Sequence, residues 1–212
     1  NAIGSTGVDY GNSIAVGAGG NVYLTGTFQL TADFDPGTGT ASLTSAGGAD
    51  IFFAKYDGSG NYLWAKGIGS LAYDYGQGIA VDGIGNVYIT GLFQGTADFD
   101  PGSGTDSLTS AGLTDIFFAK YDGSGNYIWA KRIGFFSNDR GYSIAVDGSG
   151  NVYITGLFTN TADFDPGSGT ANLNSAGAED IFFGKYDGTT NSIPGYLSPE
   201  NAVHVYPNPS SG

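Results

Sequence analysis

The sequence predicts an all-β fold: about three four-stranded antiparallel sheets stacked face to face as an open or incomplete array. Three observations carry this expectation. A unit of 65 residues is written three times without insertion, so that Asn21-Val22-Tyr23 returns as Asn86-Val87-Tyr88 and Asn151-Val152-Tyr153, and Phe34-Asp35-Pro36-Gly37 as Phe99-Asp100-Pro101-Gly102 and Phe164-Asp165-Pro166-Gly167. Each unit holds short segments rich in β-branched and aromatic residues, and Gly, Asp and Asn fill the gaps between them. Self-similarity at so long a period is the mark of blades, solenoid coils or arrays, and it weakens the case for an ordinary enzyme core.

The second unit shows the elements in order. Gly78-Ile79-Ala80-Val81 is a short apolar strand, Asp82-Gly83-Ile84-Gly85-Asn86 supplies the turn, and Val87 to Phe93 forms the returning strand of a hairpin. A polar stretch, Gln94 to Thr114, leads to a second hairpin with strands Asp115 to Tyr121 and Tyr127 to Lys131 around the turn Asp122-Gly123-Ser124-Gly125-Asn126. Four strands per unit is the count of a β-propeller blade. Strand geometry places Val87, Ile89, Gly91 and Phe93 on one face and Tyr88 and Thr90 on the other. Apolar residues on both faces fit leaves that are each covered by two neighbours. Gly91, with Gly26 and Gly156 in the other units, marks a bulge or a close backbone approach.

The pattern Asp-x-Gly-x-x-Ile-Ala-Val-Asp-x-x-Gly-Asn-Val-Tyr-x-Thr-Gly at Asp74 to Gly91, followed by Asp-x-Phe-x-x-Lys at Asp115 to Lys120 and Trp-Ala-Lys at Trp129 to Lys131, resembles the bacterial SBBP-type β-propeller repeats. Part of it returns at Asp139 to Gly156. The resemblance implies a propeller on large secreted or surface proteins and implies no reaction. Closed propellers typically use about four to eight blades, so three repeats predict an incomplete propeller whose end faces are covered by missing blades of the same polypeptide or by another copy.

Residues 1–190 are expected to hold the repeats, divided as 3–67, 68–132 and 133–190, with a linker at 191–204. Asn1-Ala2-Ile3-Gly4 aligns with Lys66-Gly67-Ile68-Gly69, as the tail of an earlier blade would. Ser192-Ile193-Pro194 stands where Tyr127-Ile128-Trp129 stands one unit earlier, and a proline there predicts that the third blade lacks its usual last strand. Val205-Tyr206-Pro207-Asn208-Pro209-Ser210-Ser211-Gly212 resembles the opening strand of the C-terminal sorting module of the bacterial type IX secretion system. That resemblance makes 205–212 a truncated sorting domain and implies export across the outer membrane to the medium or the cell surface.

Composition narrows the function. Seven Lys and Arg against 20 Asp and Glu give a net charge of −13, which repels nucleic acids and anionic headgroups. No apolar run is long enough to predict membrane insertion. Cysteine is absent, which excludes disulfides, zinc–thiolate sites and thiol catalysis. The single histidine, His204, lies in the tail, so the repeats contain neither a Ser-His-Asp triad nor a histidine-rich metal centre. Carboxylate pairs recur identically in every unit, whereas one active site has no need of three copies of its acid. These points predict a non-catalytic secreted or surface scaffold for binding or adhesion to a protein or glycan. The alternatives are an accessory domain of a larger secreted hydrolase and a calcium-dependent carbohydrate-binding module.

The candidate site residues are Asp33 and Asp35, Asp98 and Asp100, and Asp163 and Asp165. Two carboxylates at i and i+2 on an extended chain share a side and offer calcium hard oxygen ligands. They supply too few of the ligands calcium takes, and Asp-Pro-Gly is also turn chemistry, which is the favoured reading. No other cofactor is expected. The loops Asp57 to Asn61 and Asp122 to Asn126 resemble calcium loops only superficially and read as hairpin turns. Trp64 and Trp129 either fill the space between blades or stack on a sugar, with filling preferred. Asp50, Asp115 and Asp180 open the third strand of each unit, where they can bond a neighbouring loop.

Overall fold

The computed structural model describes residues 2–188 and the pair 204–205. In the first unit the strands are β1 (Tyr10–Val16), β2 (Val22–Phe28), β3 (Thr31–Asp33), β4 (Ser42–Thr44), β5 (Asp50–Tyr56) and β6 (Tyr62–Ile68). The second repeats them as β7 (Tyr75–Val81), β8 (Val87–Phe93), β9 (Thr96–Asp98), β10 (Ser107–Thr109), β11 (Asp115–Tyr121) and β12 (Tyr127–Ile133). The third follows with β13 (Arg140–Val146), β14 (Val152–Phe158), β15 (Thr161–Asp163), β16 (Asn172–Asn174), β17 (Asp180–Tyr186) and β18 (His204–Val205). Three four-stranded antiparallel sheets result, ordered β1-β2-β5-β6, β7-β8-β11-β12 and β13-β14-β17-β18, and none closes on itself.

Two features go beyond the expected four strands. The polar stretch of each unit contains a small separate hairpin, β3–β4, β9–β10 or β15–β16. Its inner side carries Ala97 and Phe99 in the second unit, both buried. The strand expected to be missing from the third blade is supplied from the tail: His204 pairs with Lys185 and Val205 with Gly184, so the outer edge of β17 has backbone partners. The rest of the expected linker, and residues 206–212 of the expected sorting domain, lie outside the described residues.

The glycine reading holds in both of its forms. A Cβ on Gly91 would sit 1.9 Å from the carbonyl oxygen of Tyr75, and Gly26 and Gly156 meet Tyr10 and Arg140 in the same way. Opposite each one the register slips: Gly76 pairs with Gly91, but Gly78 already pairs with Thr90, leaving Gln77 bulged. The first strand of each sheet bends there.

The bend brings neighbouring first strands together. Gly76 of β7 lies against Thr25, Gly26 and Ile51 of the first blade, and Gly141 of β13 lies against Thr90, Gly91 and Ile116 of the second. Cores form between blades as much as within them. Tyr23, Ile51 and Phe53 of the first blade pack with Ile79, Val87, Ile89 and Phe117 of the second. Tyr88, Ile116 and Phe118 pack with Ile144, Val152, Ile154 and Phe182 in the same way at the next junction. Each buried side chain of this size contributes about 1.5–3 kcal/mol, so the stacked faces carry much of the stability of a blade.

Candidate functional site

The Asp-Pro-Gly motifs lie in the loops of the small hairpins, and their carboxylates turn back onto their own backbone. Asp33 Oδ1 accepts the N–H of Asp35 at 3.0 Å and of Ala41 at 2.8 Å. Asp98 does the same with Asp100 and Asp106, and Asp163 with Asp165 and Ala171. Those donors hold the Asp33 carboxyl below its ordinary range, the Ala41 bond foremost. Asp35, Asp100 and Asp165 each accept the N–H of the glycine two residues on, at 2.7–2.8 Å. The phenylalanine between each pair points inward and is buried, and Tyr56 and Tyr121 donate their hydroxyls to the carbonyls of Phe34 and Phe99. The motif thus pins the hairpin onto its blade. Among the described residues no three His, Cys, Asp or Glu side chains converge as metal ligands.

The hairpin turns follow one plan. Asp122 Oδ1 accepts the N–H groups of Ser124 and Asn126, and Asn126 donates its side-chain amide to Oδ2 at 2.8 Å. Asp57, Asp82 and Asp147 repeat the arrangement with Asn61, Asn86 and Asn151. The side-chain hydrogen bond from Asn151, foremost, pulls the Asp147 carboxyl down to about 2. These oxygens are engaged by the turn itself.

Both tryptophans fill the space between blades. Trp64 meets Phe53 and Tyr23 edge-on and donates its indole N–H to the Gly123 carbonyl of the next blade at 3.3 Å. Trp129 meets Phe118 and Tyr88 in the same geometry.

Of the carboxylates at the blade junctions, sequence reasoning picked out Asp50 and Asp115 as loop-bonding groups and missed the role of Asp74 and Asp139. Asp50, Asp74, Asp115 and Asp139 are all buried. Asp74 accepts the N–H of Ser70 and of Gln94, and Asp139 that of Phe135 and of Thr159, tying each connector to its own sheet. Asp50 accepts from Ala46 and Asp115 from Ala111, so the expected loop bonds are present. Burial, and secondarily the charge of Asp74, push Asp50 up to about 6, and burial does the same for Asp139. The only hint in the sequence is the 65-residue recurrence of Asp9, Asp74 and Asp139.

One opening on the surface brings functional side chains together. A cleft of about 370 Å³ runs between the second and third blades, lined by Tyr127, Trp129, Lys131 and Arg132 of β12, by Asp106 of the small hairpin and by Asp165 of the next blade. It thus joins one sequence-predicted residue, Asp165, and the Trp129–Lys131 strand face to Arg132 and Asp106, which sequence analysis did not single out. An aromatic wall with donors and acceptors of both signs suits a polar, ring-bearing ligand.

The stacked blades, their repeat length and the shared turn chemistry define a β-propeller repeat protein. The SBBP β-propeller repeat family matches residues 58–92 and 128–165, so over those stretches the tandem units are similar to that repeat. The first match runs from the turn before β6 into β8 and the second from β12 to just beyond β15, so each straddles a structural junction. An uncharacterised WD repeat-containing protein of Acanthamoeba polyphaga mimivirus is similar, with 32% identity over 114 residues, which is 47% of this chain and 8% of that protein. The regulatory protein FlaEY of Caulobacter vibrioides is 27% identical over 140 residues, covering 66% of this chain and 14% of its own length. The chain therefore spans a small part of each relative.

Proposed function

We propose that this chain is a non-catalytic binding scaffold of a secreted or cell-surface protein, exported through the type IX route, and that its ligand lies in the cleft between the second and third blades. The observation that carries the reading is the juxtaposition in that cleft of Tyr127 and Trp129 with Lys131, Arg132, Asp106 and Asp165. Most repeat carboxylates bond their own backbone, and the cleft is where Tyr127, Lys131 and Arg132 come together with Asp106 and Asp165 beside the buried Trp129. Support for export comes from the resemblance of 205–212 to a sorting module.

A glycan array probed with the intact chain tests this, with and without chelator to separate calcium-dependent binding. The expected result is binding to a defined set of saccharides that falls at least tenfold in Tyr127→Ala and Asp165→Ala, with circular dichroism unchanged. Binding that ignores both substitutions, or hydrolysis of an arrayed glycan, overturns the reading.

A further inference from the structure

The two ends of the blade array expose the two halves of an interface that the molecule already makes twice internally. Ile14 of β1 is 64% exposed, whereas its equivalents Ile79 and Ile144 are 6% and 7% exposed beneath a preceding blade. Val16 is likewise open where Val81 and Val146 are packed. At the other end Ile181 of β17 is 64% exposed, against 0% for Ile51 and Ile116 under a following blade, and Tyr153 is open where Tyr23 and Tyr88 are buried. Glycine reports the same asymmetry. A Cβ on Gly76 or Gly141 would strike the preceding blade within 2.6 Å, and one on Gly11 would meet nothing within 4 Å.

What covers such faces is visible inside the chain: the leading face of one repeat lies on the trailing face of the repeat before it. We propose that a second copy of this chain covers both, the leading face of each copy packing on the trailing face of the other to close a six-bladed ring. The contact is heterologous, because the two faces differ, and two identical contacts close it. Six blades fall within the range of about four to eight that closed propellers use. A polar contact should return as well. Lys55 Nζ donates to the Gly123 carbonyl across the first junction at 3.2 Å, and between copies the equivalent bond would join Lys185, two units after Lys55, to the carbonyl of Gly58, one unit before Gly123. With a charge of −13 on each chain, salt should strengthen the association.

Light scattering on the eluting 212-residue chain reads the outcome directly. The expected mass is twice the 21.7 kDa of one chain, and Ile14→Asp, Ile181→Asp and Gly11→Val should each give the single-chain mass with far-ultraviolet circular dichroism unchanged. Mixing Ile14→Asp with Ile181→Asp should restore the doubled mass, since one of the two contacts in the mixed pair is then wild type on both sides. A single-chain mass for the wild type at every concentration and salt overturns the proposal and leaves flanking repeats as what these faces meet. Sensitivity to only one of the two aspartate substitutions would show a like-to-like contact, and a ladder of growing species an open chain; either overturns the ring.

Discussion

Arg132 Nη1 lies 2.6 Å from Asp115 Oδ2, joining a guanidinium that is one-third exposed to a carboxylate with no exposed surface. One unit earlier Asp50 occupies the place of Asp115, and Gly67 that of Arg132. The two junctions therefore solve one electrostatic problem differently. In the second, a cation offsets the cost of burying the carboxylate. In the first, Gly67 supplies no cation; otherwise the two sites match, each carboxylate keeping Oδ1 without a hydrogen-bond partner and feeling a neighbouring aspartate, Asp74 or Asp139.

Exchanging the two solutions gives the first prediction. Arg132→Ala should lower stability by about 2 kcal/mol, because a buried carboxylate loses its counter-charge and a charge-assisted hydrogen bond. Gly67→Arg should raise it by about 1 kcal/mol, less than the reverse loss because the new side chain is partly solvated. A Cβ at Gly67 meets only Phe28 and Leu43, at 3.4 Å or more, so the substitution has room. Urea denaturation of both variants checks the pair of signs.

The pH dependence of stability has a sign that follows from the junctions. Asp50 and Asp139 have carboxyls raised to about 6 in the folded chain, above their ordinary value of 3.8. The folded state therefore binds more protons than the unfolded state between about pH 4 and 6. Their contribution is fully present below pH 4 and is lost as pH rises through 6. Turn carboxylates such as Asp147, lowered to about 2, act oppositely and only under stronger acid. The melting temperature should be higher at pH 5 than at pH 7.5, and the difference should shrink in the Asp50→Asn, Asp139→Asn double variant.

The bulge glycines give a third prediction. In Gly91→Ala the added methyl would overlap the Tyr75 carbonyl, which is backbone and cannot rotate away. Strand β7 must then lose either its bulge or its pairing, and with it the close approach of Gly76 to the first blade. A loss of about 3 kcal/mol or more is expected, at the upper end of overpacking costs. Gly83→Ala, where a methyl meets nothing within 4 Å, is the control and should change the melting temperature little.

Much of this architecture is legible in the residues. The strands β8 and β11 fall on Val87–Phe93 and Asp115–Tyr121, as the alternation and the flanking Asp-Gly turns require. The small hairpins are hidden because three-residue strands such as Thr96–Asp98 leave almost no periodicity, and their ladders are held by the Asp98 turn and by Phe99 reaching into the blade. The tail strand is hidden for another reason: His204 and Val205 pair with β17 because an edge is open there, which is a property of the sheet and not of the segment. The cleft escaped because Asp106 and Asp165 belong to different blades and meet Arg132 only after stacking. Local chemistry reads from sequence, and contacts made by stacking do not.

The Asp-Pro-Gly motifs permit a test that separates a turn from a cation site. Asp98 uses one oxygen to accept two backbone N–H groups, a task the carbonyl of an asparagine performs equally well. Asp33→Asn, Asp98→Asn and Asp163→Asn together should therefore leave the melting temperature within a few degrees of wild type, whereas alanine at the same positions should cost about 1 kcal/mol at each. A calcium ion would respond differently, because it depends on the ligand charge that asparagine removes. Calorimetry in millimolar calcium and in chelator should give superimposable transitions for the wild type and the asparagine variant. A calcium-induced rise in the wild type that disappears in the asparagine variant would instead establish the motifs as ligands, with the turn a consequence of the ion.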